Sequence, residues 1–185
     1  MRRLFWILGA ILAVAFVLAQ LHRPNFDLSP VAASAGFDAQ MHPDSQISNM
    51  LHQSCYNCHS AQGEIPWYGQ VWPTSHLLQK DVRRGRARLD FSNWANLSPE
   101  MSAIRLHSAC RMMQENKMPL WYYRPVHPGS TPKPEDVNAF CLWAQSLSQT
   151  SGQLRENGGQ LRRFAFLGRG LDLLETDHVY LRISS

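Results

Sequence analysis

The chain has 185 residues, enough for one modest domain with additions at its ends. An apolar content of 44% supports a packed core, and 17% charged residues is too few for a disordered chain. The net charge of +4, from 18 basic and 14 acidic residues, is too mild for a nucleic-acid binder, and no nucleic-acid partner is expected.

The N-terminus, MRRLFWILGAILAVAFVLAQLHRP, places Arg2 and Arg3 before an apolar run from Leu4 to Ala19. That run falls between a signal-peptide core and the roughly 20 residues of a full membrane span. Val17-Leu18-Ala19 offers a cleavage triplet, but no polar stretch precedes it. Residues 1–20 therefore read as an uncleaved signal anchor first and a cleaved signal peptide second. Either way the arginine pair stays inside and the rest of the chain is exported. A buried core helix would show an amphipathic period, and this run shows none.

Residues 21–44 are rich in Pro, Ala, Ser and Asp without a period, and read as a tether. Asp44 or Ser45 can cap a helix carrying Ile47, Met50, Leu51 and Cys55 at helical spacing. GEIPWYGQVWP reads as an aromatic loop, and TSHLLQKDVRRG as a short helix with Thr74 as cap and Gly85 as stop. SPEMSAIRLHSACRMMQENK is a further helix, with Ser98 as cap, Pro99 at its first position and a stripe of Ala103, Leu106, Cys110 and Met113. KMPLWYYRPVHPGSTPKP must be loop, because its prolines break any ladder. PEDVNAFCLWAQSL is the last clear helix, with Val137, Phe140, Cys141, Ala144 and Leu147 on one face. No repeat and no strong strand stands out up to residue 148, so the domain over 45–148 reads all-α. The tail, 149–185, begins linker-like and could hold a short helix and a terminal strand.

SCYNCHSAQ brings two cysteines, Cys55 and Cys58, and a directly following histidine, His59, onto the C-terminal end of its helix. A redox dithiol sits at a helix N-terminus in a βαβ pattern, where the dipole lowers the thiol pKa. A structural zinc site needs four ligands, and Cys110 and Cys141 are isolated from each other and from this pair. A covalently attached haem accounts for all three residues: each thiol adds to one vinyl group, and the histidine becomes an axial iron ligand. Export strengthens that reading. Haem is thus favoured, with dithiol and zinc as lesser readings.

SCYNCHSAQGEIPWYGQVWPTSHLLQKDVRRGRARLDFSNW, followed by KMPLWYYRPVHP, resembles the bacterial haem-binding-domain family of cytochrome-c-like proteins. The likeness covers about Ser45 to Leu147 and includes the Arg23-Pro24 pair after the apolar run. His76 stands where family members usually carry Trp. The resemblance implies one covalently bound haem c in a small helical domain wrapped around it, on the periplasmic side of the inner membrane and usually anchored there.

Met118, 59 residues after His59 in a Pro-bounded loop, is the favoured sixth ligand, as small cytochromes c present a thioether across their haem. The bland alternative is a methionine filling a core gap, the better reading for Met112 and Met113. His127 and His107 are rival ligands. Among the many aromatics that could wall a porphyrin, Trp72 is a candidate partner for the propionates, as is Arg86; packing and a solvated arginine are the plain alternatives. KDVRRGRARLD reads first as a solvated face and second as a surface steering an acidic redox partner. Cys110 and Cys141 lie on buried stripes of two helices, and an oxidising compartment favours a disulfide over free thiols. The functional expectation is an electron carrier rather than a catalyst. A peroxidase-like haem enzyme, or a gas or redox sensor with an open sixth position, is the alternative.

Overall fold

The first helix has no apolar partner. In the computed structural model, which describes residues 1–149, α1 (Arg2–Ala19) buries none of its residues and has a mean hydropathy of 2.0. It is long and apolar enough to cross a membrane. A helix apolar on every side needs either a protein core or lipid around it, and no core surrounds this one. The reading of the tail as a short helix and strand lies outside the described residues.

Residues 21–44 do not behave as a tether. They hold a 3-10 turn at Ala33–Ala35 and a short helix, α2 (Phe37–Met41). Phe37 is fully buried, edge-on to Phe91, Trp94 and Trp143 with centroids 5.1, 4.8 and 5.9 Å away. Edge-to-face pairs of this kind contribute about 0.5–1.5 kcal/mol each beyond area burial. Asp38 accepts from the hydroxyls of Ser48 (2.8 Å) and Tyr56 (2.6 Å) and pairs with His52 Nε2 (2.9 Å). Partial burial pushes its carboxyl up, but the bonds from Tyr56, His52 and Ser48 outweigh that and hold it below its ordinary 3.8. The Pro/Ala/Ser composition of the segment hides two anchoring phenylalanines, Phe37 here and Phe26 below.

The main helices follow their sequence signals. Asp44 caps α3 (Ser45–Ser54), accepting from the Ile47 N–H at 2.8 Å, and Ile47, Met50 and Leu51 are buried. A one-turn helix, α4 (Tyr56–His59), continues it. A 3-10 turn at Trp67–Gln70 leads into α5 (Thr74–Arg88). The Thr74 hydroxyl does not cap α5; it donates to the carbonyls of Tyr68 and Val71, both at 2.7 Å. Gly85 does not stop α5 either: the helix runs one turn further. Ser98 caps α6 (Pro99–Gln114), with the Met101 N–H 3.2 Å from its hydroxyl. The last described helix, α7, covers 134–149.

A disulfide joins Cys110 of α6 to Cys141 of α7, with Cα atoms 5.3 Å apart. Closing a loop of 31 residues contributes about 3–4 kcal/mol in the chain-entropy account. Around it packs one core that includes Phe37, Ile47, Leu51, Phe91, Trp94, Leu106 and Phe140. A smaller cluster of Phe26, Leu78 and Val82 carries Cys58, Ile65 and Tyr68 on its edge. Among the described residues all regular structure is helical, as expected.

If residues 21–44 form part of the core, Phe37→Ala should cost about 3–5 kcal/mol in chemical denaturation. A change within about 0.5 kcal/mol, the norm for an unpacked residue, would restore the tether.

Candidate functional site

Cys55 closes α3, its N–H bonding to Leu51 O at 2.8 Å. The chain then turns once, with the N–H groups of Cys58 and His59 both reaching Cys55 O, at 3.2 and 3.0 Å. That single turn presents both cysteines and the imidazole together. The two thiols are free and half-buried. Desolvation pushes Cys55 up to about 12 and Cys58 up to about 11. Both are protonated at neutral pH, the reverse of the depressed value a redox dithiol requires.

The imidazole of His59 is fixed by the backbone. Its Nδ1 lies 2.8 Å from Leu89 O. A carbonyl only accepts, so Nδ1 carries the hydrogen and Nε2 keeps its lone pair. Burial also holds the ring below its ordinary pKa, in the neutral form. A neutral imidazole with its other nitrogen bonded to a carbonyl is a prepared metal ligand. Gly85 accounts for the close approach of the ring to α5. A Cβ there would stand 3.2 Å from His59 Cε1 and 3.4 Å from Nε2.

The turn after His59 is closed tightly. Ser60 and Ser92 are buried with their hydroxyls 2.9 Å apart, Ala61 N–H donates to Ser92 Oγ at 2.6 Å, and Gln62 N–H donates to Ser60 Oγ at 3.0 Å. Gly63 permits this fold-back, since a Cβ would fall 2.5 Å from Tyr56 O. Arg86 completes the surround: Nη1 donates to Phe26 O (2.9 Å) and Asp27 O (2.6 Å), and Nη2 to Ser60 O (2.6 Å). Its buried Nε is left without a partner among the described residues.

The late loop meets the motif through Asn57, whose Nδ2 donates to the Tyr123 hydroxyl at 3.1 Å. Tyr123 stacks on His127 at 3.7 Å. Both ring nitrogens of His127 are engaged: Nδ1 donates to Tyr123 O at 3.1 Å, so Nε2 accepts from the Tyr68 hydroxyl at 3.2 Å. His107 is exposed on α6. Met118 is half-buried, its N–H bonding to Met112 O at 3.2 Å. Its side chain lines a cavity of about 310 Å³ with Met113, Arg124, Pro132 and Val137. No residue of 55–59 lines that cavity, so it does not bring Met118 together with His59. Trp72 is 41% exposed at the start of α5, the opposite end from Gly85.

Cys55, Cys58 and His59 are thus brought together as the sequence predicts. The supporting parts, Leu89 O, Gly85, Asn57 and the Ser60–Ser92 pair, are found only in the structure. A helical glycine of no local necessity is the one sequence sign of them. Two reduced thiols and a neutral imidazole held at Nδ1 by a backbone carbonyl, on one turn, are a donor set that could hold a haem. The model of a family described as a haem-binding domain matches residues 14–146. That span takes in the end of α1 and the packed segment after it. No curated protein and no solved structure matches the chain.

The Gly85 contact has a measurable consequence. Gly85→Val should destabilise the domain by about 1–3 kcal/mol, the cost of overpacking, and shift the His59 imidazole resonances in NMR spectra. Ala87→Val, at an exposed position of the same helix, should stay within about 0.5 kcal/mol and leave those resonances in place.

Proposed function

The chain belongs to the haem-binding-domain family, and we propose that it is a monohaem c-type cytochrome, carrying one haem attached through Cys55 and Cys58 and ligated by His59. The observation that carries this reading is the His59 imidazole, held at Nδ1 by Leu89 O beside two unpaired thiols. The bound iron would supply a one-electron couple. The protein's part is to keep that centre rigid and dry, so that little rearranges with a change of charge. Leu89 O fixes the tautomer and orientation of His59. The Ser60–Ser92 pair and Arg86 hold the backbone that follows it. Phe91 covers the ring edge-on, with centroids 6.3 Å apart.

For the sixth position we propose Met118. Met118 borders a cavity of about 310 Å³, while both ring nitrogens of the rival His127 are already bonded. Its loop is braced by Arg124, whose Nε donates to Pro119 O at 2.7 Å and Nη2 to Asn116 O at 2.5 Å. A thioether ligand raises the potential relative to a second histidine. Arg86, whose buried Nε has no partner among the described residues, remains the proposed propionate neighbour, whereas Trp72, at the opposite end of α5, is too far from the Cys55–His59 turn to share that role. An electron carrier of this kind works on the periplasmic side of the bacterial inner membrane, anchored by α1. Lys80, Arg83, Arg84 and Arg88, all exposed on α5, form a face for an acidic redox partner.

One observation favours the second reading, a haem enzyme or gas sensor with an open sixth position: the cavity at Met118 has no wall from the Cys55–His59 turn. Carbon monoxide separates the two, because a low-spin His/Met iron ignores it and an open iron binds it.

Covalent attachment predicts a haem-stained band on denaturing electrophoresis. Haem that extracts into acidified solvent would contradict it, and Cys55→Ser with Cys58→Ser should abolish the stain.

Met118→Ala should remove the long-wavelength sulfur-to-iron band of the oxidised protein, lower its potential and open it to carbon monoxide, while His127→Ala keeps the band. The reverse pattern would assign His127. A wild-type protein that already binds carbon monoxide would favour the enzyme or sensor.

A further inference from the structure

Exposed apolar side chains gather at one end of α5. Trp67 is 79% exposed, Trp72 41% and Leu77 47%, and Leu21 at the end of α1 is 76% exposed. The Thr74 hydroxyl ties the turn between the two tryptophans through Tyr68 O and Val71 O. This end of α5 is joined directly to α1. The backbone N–H of Trp72 donates to Gln20 Oε1 at 3.0 Å, and the Nε2 of Gln20 donates back to Phe16 O within α1 at 3.0 Å. One glutamine therefore couples the last turn of the apolar helix to the tryptophan turn, with no free linker between them.

From there the chain runs alongside α5 and away from α1. Gln79 Nε2 donates to Asn25 O at 2.7 Å, and Arg86 donates to the carbonyls of Phe26 and Asp27. At about 1.5 Å rise per residue, roughly 18 Å of helix separates Thr74 from Arg86. The tryptophan end of α5 is therefore the end beside α1, and the end that meets His59 is the far one.

We propose that Leu21, Trp67, Trp72 and Leu77 rest in the headgroup–acyl boundary of the bilayer that α1 spans, so that the domain sits on lipid through its own surface and α5 holds the Cys55–His59 turn away from it. The occupant is lipid because the patch is fastened to the end of a helix whose every side is apolar and uncovered. Tryptophan, with an apolar ring and one N–H, is the side chain that favours this boundary. The exposed Arg23 beside the patch suits phosphate headgroups. The proposal rests on the reading of α1 as an anchor.

The test uses the full haem-loaded chain in vesicles of phosphatidylcholine and phosphatidylglycerol. A nitroxide is attached at Trp67→Cys or Trp72→Cys, and at Ile104→Cys and Leu142→Cys, two exposed positions on α6 and α7, as controls. The visible spectrum checks that each labelled protein is intact, and the two tryptophan sites serve as independent readings. Labels at 67 and 72 should favour collisions with oxygen over a nickel chelate several-fold more than labels at 104 and 142. If all four report water while the protein resists carbonate washing, α1 anchors the chain but the docking proposal falls. Labels at 67 and 72 shielded from both reagents would mean a protein partner or a second copy covers the patch, which also overturns it. If carbonate releases the chain, the anchor reading fails and the docking proposal with it.

Discussion

The guanidinium of Arg86 is the constraint on which the arrangement depends. Three carbonyls from two distant segments, Phe26 and Asp27 between α1 and α2 and Ser60 after the motif, converge on its two terminal nitrogens. Hydrogen bonds from a charged donor are worth more than neutral ones, and a buried cation left without them is costly. The same side chain therefore closes the N-terminal segment onto α5 and holds the chain just past His59. It reinforces the packing of Phe26 on Leu78 and Val82, the cluster on whose edge Cys58 lies. A residue that sequence suggests as a ligand to a cofactor is, in the fold, mainly a staple for backbone.

How much of this is legible in the sequence depends on the kind of signal. Where a helix begins with a side-chain cap, as at Asp44 and Ser98, the start is readable, because the capping oxygen and the apolar spacing are both written locally. The stripes holding Cys110 and Cys141 are readable in the same way, and their disulfide follows from two faces that pack together. The end of α5 is not readable. Gly85 looks like a stop by composition, yet it lies inside the helix because an imidazole from another segment occupies the space of its missing side chain. Residues 21–44 fail for a different reason: two phenylalanines decide their fate, and an averaged composition conceals two residues among 24.

The candidate site divides along the same line. Cys55, Cys58 and His59 are visible as a pattern of side chains. What prepares them is made of a backbone carbonyl, an absent Cβ and a pair of serines, of which only the glycine leaves a mark in one sequence, and there it reads as a helix stop. The basic run on α5 also looks uniform as a string of letters. In three dimensions it separates, with Arg86 turned inward, Asp81 accepting from the Tyr122 hydroxyl at 2.6 Å, and the remaining cations facing outward. Charge counted along a chain cannot tell a staple from a surface.

The pairing of the cysteines bears on how the molecule is made. Four cysteines can join in three complete ways, yet here Cys110 and Cys141 are bonded while Cys55 and Cys58 keep their thiols. One polypeptide thus carries opposite redox instructions about 50 residues apart along its length. If Cys55 and Cys58 take up haem as proposed, maturation has to sort the two pairs: the α6–α7 pair is oxidised, while the earlier pair escapes the same oxidant or is reduced again. An early, folded α6–α7 hairpin would help, because it sequesters its own sulfurs before they can exchange with the upstream thiols. The order of assembly, and not only the final geometry, is thereby a condition of a competent product.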